Sequence, residues 1–219
     1  MRENRDAVVD SKGVGATVNP EIDPNENAFQ ILVNVLLSIQ TNDLVTDKIM
    51  KRLLEEEGGI TIQKYSELSA DKFKKKIPDI NFNKKKSEWI VDVAKSITDD
   101  YNGKVPDSFE ELTKFKGVGA KVAHLVLQIG FDKVEGICVD THVHRISNIL
   151  GWVKTNNPNA TMTALEKVFD KEYWRDLNPT IVGFGQSICA ARNPKCEECL
   201  LNDECSIGKT VMKKVNKKN

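Results

Sequence analysis

Four of the chain's five cysteines, Cys189, Cys196, Cys199 and Cys205, fall within 17 residues in the spacing C-x6-C-x2-C-x5-C. Thiols this close in sequence converge only where the backbone between them turns back on itself around one centre. The stretch from Met1 to Asn19 contains Arg2, Glu3, Arg5 and Asp6 and no apolar run, so it does not read as a signal peptide. The chain is therefore expected to be intracellular, in the cytoplasm or nucleoid of a prokaryote or the nucleus of a eukaryote. Thiols stay reduced there, so metal ligation is a better reading of the cluster than disulfides. Four thiolates suit either zinc or a cubane 4Fe–4S cluster, and general chemistry does not choose between them. Cys138 lies outside the spacing and reads as a small buried apolar residue.

The rest of the chain carries helical periodicity. Phe29, Ile31, Leu32, Val33, Val35, Leu36, Leu37 and Ile39 are apolar on nearly all sides, which predicts a central buried helix too short to span a membrane. Gln40-Thr41-Asn42-Asp43 interrupts the run before Leu44, Ile49, Leu53 and Leu54 resume it, and Gly58-Gly59 ends it. Further helical patterns cover 65–68, 70–76, 84–101, 109–115, 121–131, 141–150, 162–169 and 180–190, with Pro158 and Pro179 among the residues punctuating them. No segment alternates with period two, so the expected class is all-α.

With 32 basic and 32 acidic residues, net charge gives no signal for a polyanionic partner, and any such reading must rest on local charge. Lysines do cluster, at Lys74 to Lys76, at Lys84 to Lys86, and in a tail holding Lys209, Lys213, Lys214, Lys217 and Lys218. Solvated helix faces and a frayed tail explain such runs equally well.

Between the pattern ending at Phe115 and the one beginning at Lys121 lies Lys116-Gly117-Val118-Gly119-Ala120. Two glycines permit a tight turn, and the following helix start offers backbone N–H groups that suit a phosphate oxygen without reading any base. The helix's positive end and any desolvation disfavour an ammonium at Lys121, which favours the neutral, nucleophilic amine. An equally plain reading makes Lys121 a solvated surface residue and Asp140 a helix cap.

The blocks Phe115-Lys116-Gly117-Val118-Gly119-Ala120-Lys121 and Val139-Asp140-Thr141-His142-Val143-His144-Arg145 resemble the helix–hairpin–helix DNA glycosylases, specifically the endonuclease III family. Leu37 to Asp43, Val182 to Gln186 and the cysteine loop extend the likeness over roughly residues 25 to 207, in the family's order.

The resemblance implies a two-lobed helix–hairpin–helix fold. One lobe is a six-helix domain at 24–135, and the other combines 1–23 with 136–219 and carries a 4Fe–4S loop at 189–205. A cleft between the lobes would hold Lys121 and Asp140.

The implied activity is base-excision repair: a bifunctional glycosylase and abasic-site lyase that removes oxidised pyrimidines. Lys121 would be the covalent nucleophile and Asp140 its acidic partner. Relatives that only remove bases lack this lysine. Gln40 would fill the space left by the flipped base, Asp43 would lie near the base pocket, and Phe82 would wedge into the opposite strand. Lys116, Gly117, Val118, Gly119 and His142 would contact DNA, as would Arg192 and Lys195 on the cysteine loop. The partner would be damaged or abasic double-stranded DNA, bound by a monomer, with no membrane involved.

Alternatives are a glycosylase of the same fold specific for mismatches or other lesions, a non-catalytic DNA-binding module, and an iron–sulfur electron carrier. The chain departs from the family at Phe115-Lys116, usually Leu-Pro, and at Asn81 and Asn83, commonly Gly and an aromatic residue. Asn81 is expected to take the left-handed backbone of the usual glycine.

Overall fold

The computed structural model describes residues 7–17, 19 and 21–215, and every regular element among them is helical. Arg2, Glu3, Arg5, Asp6, Lys217 and Lys218 lie outside the described residues. The chain divides into two units, Lys12–Glu135 and the pair of segments Met1–Ser11 and Gly136–Asn219. A short helix, α1 (Val8–Lys12), ends where the first segment gives way to the continuous unit.

The continuous unit is built around α2 (Pro24–Ser38), whose residues from Ala28 to Leu37 are all buried. Pro24 opens the helix where its missing N–H costs nothing, and the Asp23 carboxylate accepts from the N–H groups of Asn25 and Glu26. Around it lie α3 (Asp43–Glu55), α4 (Ile62–Ser66), α5 (Ala70–Lys76), α6 (Asn83–Asp100), α7 (Phe109–Leu112) and α8 (Ala120–Gly130). Asn42, Thr61, Ser69 and Ser108 cap α3, α4, α5 and α7 with their side chains, so each start is written locally in the sequence.

Phe29, Tyr65 and Phe73 pack edge to face at 5.8 and 5.1 Å between centroids. Each such buried aromatic contributes about 1.5–3 kcal/mol by leaving water. Residues 12–23, expected with the other lobe, group with this unit. Asn34 donates to Thr17 Oγ1, Lys12 pairs with Asp47 at 3.5 Å, and Val14 packs on the core.

In the other unit, α9 (Thr141–Ile149), α10 (Pro158–Val168) and α11 (Trp174–Ser187) enclose Ile137, Val143, Ile146, Leu165, Ile181 and Phe184. Both prolines read as punctuation belong to helices. Pro158 is the first residue of α10, behind an Asn157 cap, so the helix begins earlier than the apolar pattern. Pro179 lies inside α11, which starts at Trp174 rather than at residue 180. It forgoes one backbone bond there, and burial of Leu177, Ile181 and Phe184 offsets that loss. The basic tail forms α12 (Ser206–Val215), a helix the lysine-rich composition concealed. No helix among the described residues is long and apolar enough to cross a membrane.

Candidate active site and metal centre

The hairpin runs from α7 to α8. After α7 the chain turns through Phe115, whose carbonyl accepts from Val118 N–H at 3.1 Å, and the buried Phe115 and Val118 pin the loop from inside. Gly117 has φ +84, and a Cβ there would lie 2.5 Å from the Trp89 ring. It is therefore required twice, by backbone and by space. Gly119 caps α8 without a side chain, and the ladder begins with Ala123 N–H on Gly119 O at 3.0 Å. Ala120, Lys121 and Val122 form the first turn of α8, before that bond, and a helix start of this kind suits an anion. Lys116 is exposed beside them, 3.5 Å from Asp92.

Lys121 is the second residue of α8 and half-buried. In the other unit, Asp140 caps α9, its Oδ1 accepting from Val143 N–H at 2.8 Å. That bond engages one carboxylate oxygen and leaves Oδ2 outside the cap. His142, the second residue of the same helix, turns its buried Nδ1 toward Gly185 of α11, where a Cβ would lie 2.4 Å away. Gly185 thus makes room for the imidazole.

Gln40 and Phe82 belong to neighbouring turns of the continuous unit. Gln40 follows the end of α2 and is exposed, and Phe82 precedes α6 with 60% of its surface exposed. Both are left-handed, at φ +50 and +57. The left-handed residue of the second turn is thus Phe82, and Asn81, expected to take that role, instead donates its Nδ2 to Gln40 O at 2.6 Å. Asp43 is the first residue of α3 and half-buried, the capping being done by Asn42.

Lys86 departs most from the sequence reading. Lys84 and Lys85 are exposed, but Lys86 is wholly buried, and its ammonium donates to Leu37 O at 2.8 Å, Ile39 O and Thr41 Oγ1 at 2.9 Å. Burial pushes it down to about 8. The signal was present in the sequence, because Lys86 sits in register with Ile90, Val93, Ala94 and Ile97 on the apolar stripe of α6.

The four cysteines border one cavity of about 110 Å³, lined also by Arg145, Phe184 and Leu201. Among the described residues no three His, Cys, Asp or Glu side chains close on a single-ion site, and the thiols frame a space instead. Burial first, then the neighbouring Cys189, Cys199 and Cys205, pushes the Cys196 thiol up. Cationic iron held by the four thiolates would relieve that repulsion, so the donor set fits an iron–sulfur cluster.

Short backbone bonds shape the loop. Lys195 N–H binds Ile188 O at 2.9 Å and Cys205 N–H binds Leu201 O at 2.9 Å, while Arg145 Nη2 holds Cys189 O at 2.6 Å. Arg145 had no role from its sequence position. Nor had Gly208, whose missing side chain lets the Asn202 backbone approach to within 2.5 Å of where a Cβ would stand. Arg192 and Lys195 are exposed on the first arm of the loop.

Residues 33–171 match the HhH-GPD superfamily base excision DNA repair protein, and residues 189–205 match the iron-sulfur binding domain of endonuclease III. Endonuclease III-like protein 1 of Gallus gallus is 39% identical over 211 residues, which is 95% of this chain and 74% of the relative. Endonuclease III of Thermotoga maritima is 42% identical over 185 residues, 84% of each protein. A solved structure of a trapped endonuclease III–DNA covalent intermediate, an estranged-adenine complex, superposes with a TM-score of 0.80 at 31% identity. That match covers 94% of this chain and 95% of the other.

Proposed function

Because the chain belongs to the endonuclease III family of base-excision-repair glycosylases and abasic-site lyases with a 4Fe–4S cluster, we propose that it removes oxidised pyrimidines from duplex DNA through Lys121. The observation that carries this reading is the placement of Lys121 at the second residue of α8, directly behind the Gly117–Gly119 turn. A phosphate gripped by the hairpin puts the adjoining sugar within reach of that amine.

The Lys121 amine attacks C1′, and the base leaves with the electron pair of the broken C–N bond and takes a proton from water. Asp140 stabilises the cationic sugar and accepts the lysine's proton. The C1′–O4′ bond then breaks, O4′ taking the proton held by Asp140, and the protonated Schiff base left on Lys121 acidifies C2′. Loss of the C2′ proton expels the 3′ phosphate by β-elimination, and water then releases the lysine.

Gln40 and Phe82 occupy the gap left by the extruded nucleotide, and Asp43 lies toward the base pocket. Lys116, Val118, the hairpin glycines, His142, Arg192 and Lys195 contact the DNA. Cys189, Cys196, Cys199 and Cys205 would hold the cluster through thiolate bonds that would tie four points of one loop together, and Arg145 holds the first of those points by its backbone. The enzyme acts inside the cell as a monomer.

Borohydride reduction on abasic duplex tests the assignment. The parent protein is expected to be trapped covalently, and Lys121→Ala is not. Equal trapping of the variant sinks the assignment of the nucleophile. Excision of thymine glycol, compared with a G·T mismatch in the same sequence, tests the substrate class, and activity confined to the mismatch overturns it.

A further inference from the structure

Two bulky residues, Gln40 and Phe82, hold left-handed backbone conformations on neighbouring turns, and both expose their side chains. L-residues other than glycine adopt that region at a cost, and such strain persists only where the surroundings over-determine it. Here they do. Asn81 reaches from the Phe82 turn to Gln40 O at 2.6 Å.

Lys86 grips both turns at once. Its backbone N–H binds Phe82 O at 3.0 Å, and its ammonium binds Leu37 O, Ile39 O and Thr41 Oγ1, on either side of Gln40. A buried ammonium facing the last carbonyls of α2 also complements the negative end of that helix. With its side chain wholly buried, Lys86 has no access to a substrate, so its chemistry is spent on holding backbone.

We propose that Asn81 and Lys86 are positioning residues that lock the Gln40 turn to the Phe82 turn, so that the two side chains meet the duplex as one preorganised wedge. This rests on the reading that Gln40 and Phe82 fill the gap in damaged DNA. Preorganisation matters because a wedge ordered before binding does not lose side-chain and loop freedom on insertion. At Asn81 the chain departs from the glycine usual in its family, so this part of the lock belongs to its own sequence.

The test compares binding to two duplexes of one sequence, one with a tetrahydrofuran abasic analogue and one intact, with 2-aminopurine opposite the analogue reporting unstacking. Gln40→Ala and Phe82→Ala should each lower the preference for the abasic duplex. Asn81→Ala should lower it by roughly threefold to tenfold, the scale of one hydrogen bond, and should diminish the 2-aminopurine signal. Added to Gln40→Ala, it should do less, because one of the two side chains it positions is already gone. Lys86→Met, with folding checked by its melting curve, should behave as Asn81→Ala does.

If Gln40→Ala and Phe82→Ala lose the preference while Asn81→Ala keeps it, the lock is refuted and the wedge stands. If Gln40→Ala and Phe82→Ala both keep it, the wedge reading falls and the lock's function falls with it.

Discussion

Gly117→Ala offers a sharp test of how the hairpin is held. The new methyl would lie 2.5 and 2.6 Å from two carbons of the Trp89 ring, at a backbone angle of φ +84. Adopting a left-handed conformation costs an alanine about 1–2 kcal/mol. Forcing a methyl into occupied space typically costs a further 1–3 kcal/mol, because the ring or the loop must move. Alanine also restricts the unfolded chain, which returns about 0.4–1 kcal/mol. The expected net loss is about 3 kcal/mol, a large fraction of a typical domain's stability.

Gly119→Ala is the matched control, two residues along the same turn. Its backbone φ is −96, and nothing lies within 4 Å of the added methyl. It should cost less than about 1 kcal/mol, the scale of a weakened cap. Equilibrium urea denaturation of both variants beside the parent measures the difference. If Gly117→Ala loses no more than Gly119→Ala, the argument from Trp89 and the positive φ is wrong.

Other consequences are equally direct. Burial holds Lys86 at about 8 against an ordinary 10.5, so between those values the unfolded chain binds more protons than the folded one and stability rises with pH. Relative to Lys86→Met, the parent should gain at most about 3 kcal/mol across that window, less whatever the three donated bonds restore to the ammonium. A flat difference between the two denaturation curves would refute this. Gly185→Ala would put a methyl 2.4 Å from His142 Nδ1 and should lower the melting temperature by the equivalent of about 1–3 kcal/mol, whereas an unchanged melting temperature would show that the imidazole swings away freely. If Arg192 meets a phosphate, Arg192→Ala should reduce the slope of log affinity against log salt by about 1, and an unchanged slope would remove it from the interface.

Much of this molecule was legible in its sequence because its signals are local. Capping residues stand immediately before α3, α4, α5 and α7, and the buried run from Phe29 to Leu37 announced the central helix. The cysteine spacing gave the metal loop, which a tight local fold requires. Prolines misled where position within a helix decides their effect: Pro158 starts α10 and Pro179 sits inside α11. Helix α12 was hidden because its lysines suggested a frayed tail. Arg145 and Gly208 were out of reach, since their roles depend on which backbone segment folds against them, at Cys189 and Asn202.

Lys86 shows how charge and periodicity compete as signals. Three consecutive lysines suggest a solvated or phosphate-facing run, and for Lys84 and Lys85 exposure agrees. At the third position the helical stripe prevails, because α6 must bury that face to pack, and a buried ammonium must then find acceptors. The end of a neighbouring helix supplies them without a carboxylate, since its last carbonyls lack partners in their own ladder. A lysine on an apolar stripe, within a turn of a helix start, is thus a sequence signal for a backbone anchor. Here the anchored turn is the one that carries the exposed Gln40, so the packing of α6 fixes a turn at the surface.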